Sequence, residues 1–69
     1  MLLIVDAVPG YGATRAYPVC ERSQMLAAIA GTKTLPVRVL AAAERGGAQI
    51  RVRSFGAMLR LPWRSVITQ

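Results

Sequence analysis

Ala48-Gln49-Ile50-Arg51-Val52-Arg53-Ser54-Phe55 alternates apolar and charged side chains through its centre. A period of two marks a strand with one buried and one wetted face. Ile50 and Val52 then point one way, Arg51 and Arg53 the other. Working outward, Glu44-Arg45-Gly46-Gly47 before it and Gly56-Ala57 after it supply turn chemistry. Pro36–Ala43 and Met58–Trp63 read as its neighbours, which predicts a three-stranded antiparallel meander.

The register of that meander places the charges. With Ala43 facing Ala48 and Phe55 facing Met58, Val39, Val52 and Leu61 fall in one row and Ala41, Ile50 and Trp63 in the next. The opposite face carries Arg38, Arg53 and Arg60 side by side, with Arg51 two positions along. A one-residue slip would scramble this separation, so the two hairpins support each other. Like charges directly opposite destabilise a sheet by roughly 0.2–1 kcal/mol per pair, and an anionic partner would relieve that. The competing reading is a solvated face whose arginine stems cover apolar surface. Arg38, Arg51, Arg53, Arg60 and Arg64 are the candidate partner-binding residues.

The N-terminal half predicts a strand over Leu2–Val8, whose near-continuous apolarity marks it as central and buried. Pro9-Gly10-Tyr11-Gly12 forms a turn, and Thr14–Cys20 a second strand demoted towards an edge by Pro18. Ser23 is the expected N-cap of a helix over Gln24–Ala30, and Gly31 its stop. Met25, Leu26 and Ile29 are expected to face the sheet. Thr32-Lys33-Thr34 connects to Pro36, and Ser65–Gln69 is a last short strand or a tail. The order is ββαβββ, an α+β single small domain over residues 1–69, with a β-grasp-like arrangement compatible.

Composition narrows the chemistry. Among 69 residues there are nine Lys and Arg, three Asp and Glu and no histidine, for a net charge of +6. Without imidazole there is no His-dependent triad, general base or zinc site. The single cysteine, Cys20, excludes an intrachain disulfide and has no histidine to activate it. Asp6, Glu21 and Glu44 are too scattered to nominate a carboxylate pair. Asp6 inside an apolar strand sits at an edge, marks a bulge, or pairs with an arginine, since an unpaired buried carboxylate is costly. No catalytic residue, metal site or cofactor is expected. The apolar start of the chain lacks a positive n-region and is broken by Asp6 and Pro9, and no stretch could span a bilayer. The expectation is a cytoplasmic protein that does not engage membrane.

Gly10-Tyr11-Gly12 lacks the third glycine, the lysine and the helix of a phosphate loop, so a hairpin exposing Tyr11 is the better account. Of the other aromatic residues, Phe55 and Trp63 are assigned to the core. Residues 50–66 resemble in outline the opening of swapped-hairpin DNA-binding proteins, with a strand, a glycine turn, a strand and a Leu-Pro step. No site residue is carried over from that resemblance.

Two functional expectations follow. One is a non-enzymatic module that binds nucleic acid through the arginine face, because eight of the nine basic residues are Arg, suited to bidentate phosphate contact. The other is a small phage- or plasmid-type inhibitor or adaptor that docks on an acidic surface of a larger protein. A homodimer is compatible with either.

Overall fold

The computed structural model describes residues 1–68; Gln69, the end of the expected terminal segment, lies outside them. The chain is a small α+β structure built on a four-stranded mixed sheet. In order it forms β1 (Leu2–Gly10), β2 (Ala13–Pro18), α1 (Glu21–Ala30), α2 (Val37–Arg45), β3 (Gln49–Ser54), β4 (Ala57–Met58) and the single-turn α3 (Trp63–Val66). The sheet order is β2-β1-β3-β4. β1 pairs with β2 as an antiparallel hairpin and with β3 in parallel, Val5 opposite Val52 and Asp6 opposite Arg53.

β3 alternates as expected, whereas β1, expected to be central and buried, is central but buried on one face only. Leu3, Val5, Ala16 and Val52 are buried on one face. Val5, Ala16 and Val52 cluster there with Ala27 of α1, Leu35 of the connector, Leu40 of α2, Trp63 of α3 and Ile67 beyond it. Leu2, Val8, Arg15, Tyr17 and Arg51 are exposed on the other face. All helical cover therefore lies on one side of the sheet.

The segment expected as the strand Pro36–Ala43 is instead helix α2. Val37 and Val39 mimic a period of two, but Leu40-Ala41-Ala42-Ala43-Glu44-Arg45 are strong helix formers after a helix-starting proline. Leu40 is fully buried, with Val37 and Ala41 at helical spacing around it and packed on the same core. The ββαβββ order is thereby corrected, and Arg38 leaves the sheet altogether. The expected antiparallel meander is likewise absent. β3 pairs in parallel with β1, and the expected strand Met58–Trp63 is extended only at Met58, with Trp63 opening α3.

The second correction concerns the β3–β4 turn. Ser54 pairs with Ala57 and Arg53 with Met58, so the turn residues are Phe55 and Gly56. Both have positive φ, 51° and 80°, as a type I′ hairpin turn requires. The shift puts Leu59 beside Val52, where its N–H donates to the Val52 carbonyl at 2.8 Å. Leu61 is left exposed rather than in the core, and Arg60 no longer faces Arg53. Phe55, assigned to the core by sequence, is almost fully exposed at the turn, whereas Trp63 is buried as expected.

Helix α1 starts earlier than its sequence suggests. Cys20 is the N-cap, its Sγ accepting from the Ser23 N–H at 3.4 Å. Ser23 is buried one turn in, where its hydroxyl donates to the Cys20 carbonyl and accepts from the Val19 N–H. The inward stripe is Ser23, Leu26 and Ala27. Met25 and Ile29 face solvent instead, because two small residues bring the helix close to the sheet while α2 and α3 supply bulk. Gly31 ends α1 in the left-handed region at φ 72°, as expected.

The C-terminal segment is tied down. Ile67 is buried, and Thr68 clasps Thr14 on the outer edge of β2. Its N–H donates to the Thr14 carbonyl, and its hydroxyl oxygen accepts the Thr14 N–H. Leu35 N–H donates to Ala16 on the same edge, so that edge is blunted by the chain itself. Among the described residues, no helix is long and apolar enough to cross a membrane.

Candidate functional site

The open sheet face is organised by one row that crosses all four strands. Tyr17 lies opposite Asp6, Asp6 beside Arg53, and Arg53 opposite Met58. One step towards the hairpin turns, Arg15 faces Val8. One step the other way, Arg51 lies beside Ile4. The face thus carries arginines on two of its strands, a tyrosine on an outer strand and an apolar background of Leu2, Ile4, Val8 and Met58.

Asp6 and Arg53 form a two-pronged pair at its centre. Arg53 Nε donates to Asp6 Oδ1 at 2.8 Å and Nη2 to Oδ2 at 3.1 Å. Both side chains keep about a third of their surface in solvent, 34% for Asp6 and 35% for Arg53. The Arg53 hydrogen bonds hold the Asp6 carboxyl below its ordinary range, against a smaller desolvation cost, and Asp6 raises the Arg53 pKa in return. The open alternatives for Asp6 in the sequence resolve to pairing with an arginine.

Two exposed aromatic rings stand at the turn end of this face. β1 and β3 run in parallel, so the Tyr11-Gly12 and Phe55-Gly56 turns project from the same end of the sheet. Tyr11, expected to be exposed in its hairpin, is so. A shallow groove of about 160 Å³ runs along the hairpin, lined by Val8, Pro9, Gly10, Tyr11, Arg15 and Tyr17.

The sequence-derived arginine set is divided by the fold. Arg51 and Arg53 share the open face, and Arg60 follows Leu59 at the β4 edge. Arg38 is exposed on α2, in the helical layer. Arg64 is on α3, bonded to Glu44 Oε1 at 3.1 Å and lying over the Trp63 ring at 4.6 Å. Sequence reasoning missed Arg15 and Tyr17. Their signal was the alternation Arg15-Ala16-Tyr17, which puts both on the face opposite buried Ala16.

Cys20 is a structural thiol in this arrangement. Its sulfur also accepts from the Ile4 N–H at 3.4 Å, joining the start of α1 to β1. Partial burial pushes its pKa up, but hydrogen bonds from Ser23 and the Ile4 amide outweigh this and leave it lowered. Among the described residues, no group of His, Cys, Asp and Glu gathers in a way that could hold a metal ion. Compared with known protein families, curated proteins and solved structures, the chain has no significant match.

Proposed function

We propose that the protein is a non-enzymatic binding module that takes single-stranded nucleic acid on the open face of its sheet. The observation that carries this reading is the Tyr17–Asp6–Arg53–Met58 row with Arg15 and Arg51 on either side of it. Arginine supplies phosphate contact and exposed aromatic rings supply sequence-tolerant stacking, the two requirements of single-strand binding. A duplex would leave Tyr11, Tyr17 and Phe55 without unstacked bases to meet. The strained display of Phe55 supports the same reading, since a bulky residue at positive φ is costly and an exposed ring gains nothing from packing. The β-grasp-like reading of the fold rests on the hairpin, the helices on one face and the parallel central strands.

Fluorescence anisotropy with labelled single-stranded and duplex oligonucleotides tests the proposal. Single strands should bind more tightly, with affinity falling steeply as salt rises. Absence of binding at low salt would overturn it.

A second reading draws on a different surface. Met1, Arg22, Met25, Leu26 and Ile29 line an apolar groove of about 290 Å³ on the exposed side of α1, with Ile29 79% exposed. An apolar patch with a basic rim suits a small phage- or plasmid-type effector that docks on an acidic protein surface. A complex that forms in the presence of nuclease and is lost on Ile29→Asp would favour this reading.

A further inference from the structure

Resting on the single-strand reading above, we propose that the protein grips its strand at two separate points. One base lies in the groove of the β1–β2 hairpin, and a second, not adjacent to it, lies on Phe55. Tyr11 at the first turn and Phe55 at the second are almost wholly exposed, so neither ring gains anything from packing within the chain. The groove, about 160 Å³, is lined by Tyr11 and Tyr17 together with Val8, Pro9 and Gly10. That is below the ~300–1,000 Å³ of an ordinary small-molecule site and suits a single ring system. The tyrosines offer a base their π-faces, and Val8 and Pro9 offer it apolar contact.

The register sets the distance between the two points. Asp6 lies beside Arg53 on parallel strands, so Val8 and Phe55, each two residues further on, stand at about the same height along the sheet. The groove belongs to the β1–β2 hairpin and Phe55 to the β3–β4 turn, which sets them about two strand spacings apart, roughly 10 Å. Stacked neighbours in a nucleic-acid strand are only about 3.4 Å apart. Two adjacent bases therefore cannot fill both places, and one or two nucleotides must pass between them. Once the first base is seated the second contact is intramolecular, so it adds most where the spacer matches the span.

Labelled strands of about ten nucleotides, a length within single-strand site sizes, test this. Each is abasic except for thymine at one position, or at two positions that are adjacent or separated by one, two or five abasic sites. Anisotropy at low salt should show tightest binding with one or two sites between the thymines, roughly fivefold or more tighter than the adjacent pair. Five sites between them should give back part of that gain. Tyr11→Ser and Phe55→Asn alter rings with nothing packed on them, and circular dichroism establishes that each variant is folded. Either should remove the dependence on spacing and leave single-thymine binding within about twofold, because the other point still takes a base. Binding independent of spacing, or a spacing optimum that survives loss of either ring, overturns the two-point grip while single-strand binding stands. Failure to bind any strand, oligo-dT of the same length included, overturns both.

Discussion

Trp63 donates its indole N–H to Glu44 Oε2 at 2.9 Å, so the only tryptophan of the chain is held by a carboxylate nineteen residues away on α2. The other Glu44 oxygen takes Arg64. One side chain on α2 therefore orients both the buried ring and the exposed guanidinium of α3. Because α3 is a single turn, too short to hold itself, this grip positions it against the sheet.

The first prediction follows from that grip. Glu44→Ala should lower the melting temperature and shift the tryptophan emission to longer wavelength as the ring gains solvent. Glu44→Gln keeps an acceptor for the indole and should restore most of both. Trp63→Ala removes buried volume and should cost about 3–5 kcal/mol. A chain of this length has a total stability of only about 3–10 kcal/mol, so that variant should be largely unfolded by circular dichroism.

Acid should destabilise the fold. Hydrogen bonds from Arg53 depress the Asp6 pKa, and those from Trp63 and Arg64 depress that of Glu44. A carboxylate with a depressed folded-state pKa contributes stability above its unfolded pKa and loses it as pH falls through the folded value. Melting temperature should accordingly be flat from about pH 7 to 5 and decline below about pH 4. Asp6→Asn and Glu44→Gln should each flatten that decline, and together more than either alone. An unchanged acid limb in the double variant would contradict the assignment.

The Phe55-Gly56 turn should show opposed effects on stability and binding. Phe55→Asn places a residue tolerant of positive φ at the first turn position and should stabilise the fold by about 0.5–1 kcal/mol. If the ring stacks on a ligand, the same substitution should weaken single-strand binding several-fold. Thermal melts and anisotropy on the same sample separate the two.

Arginine positions should not be equivalent. Arg51→Glu reverses a charge on the open face and should weaken oligonucleotide binding at least tenfold while reducing the salt slope by about one. Arg38→Glu acts in the helical layer and should leave affinity within about twofold at moderate salt, where the screening length is about 10 Å. Equal losses from the two would point to diffuse charge rather than a defined face.

The central strands were legible because burial imposed its period on them. Ile50-Arg51-Val52-Arg53 alternates for one physical reason, helices on one face and water on the other, and a sequence records that directly. Val37 and Val39 carried the same local signal without the same cause; tertiary packing of Leu40 decided for helix. On α1 Leu26 packs on the core as its size suggested, but the fully inward positions are small, Ser23 and Ala27, and there the larger Met25 and Ile29 misled. The arginine row depended on a strand and a turn position: Arg38 left it because its segment is helix α2, and moving the β3–β4 turn by one residue took Arg60 away from Arg53. What survived of the site, Arg51 and Arg53 on one face, is the part that needed only alternation.

The parallel pairing of β1 with β3 has a consequence for how the protein reaches its native state. The hairpin of β1 with β2 is local and can close early, whereas Arg53 and Asp6 meet across 47 positions of chain. Non-local pairings of this kind slow folding, because loop-closure entropy is lost before contacts repay it. Until β3 arrives, the inner edge of Leu2-Leu3-Ile4-Val5 has no neighbour and presents an apolar, β-prone strand to other chains. The native sheet guards its outer edge with Thr68 and Leu35, so the exposure that matters is transient and lies at the centre of the future sheet. Refolding yield should therefore fall with protein concentration, and a charge introduced at Leu2 on the solvent face should improve it.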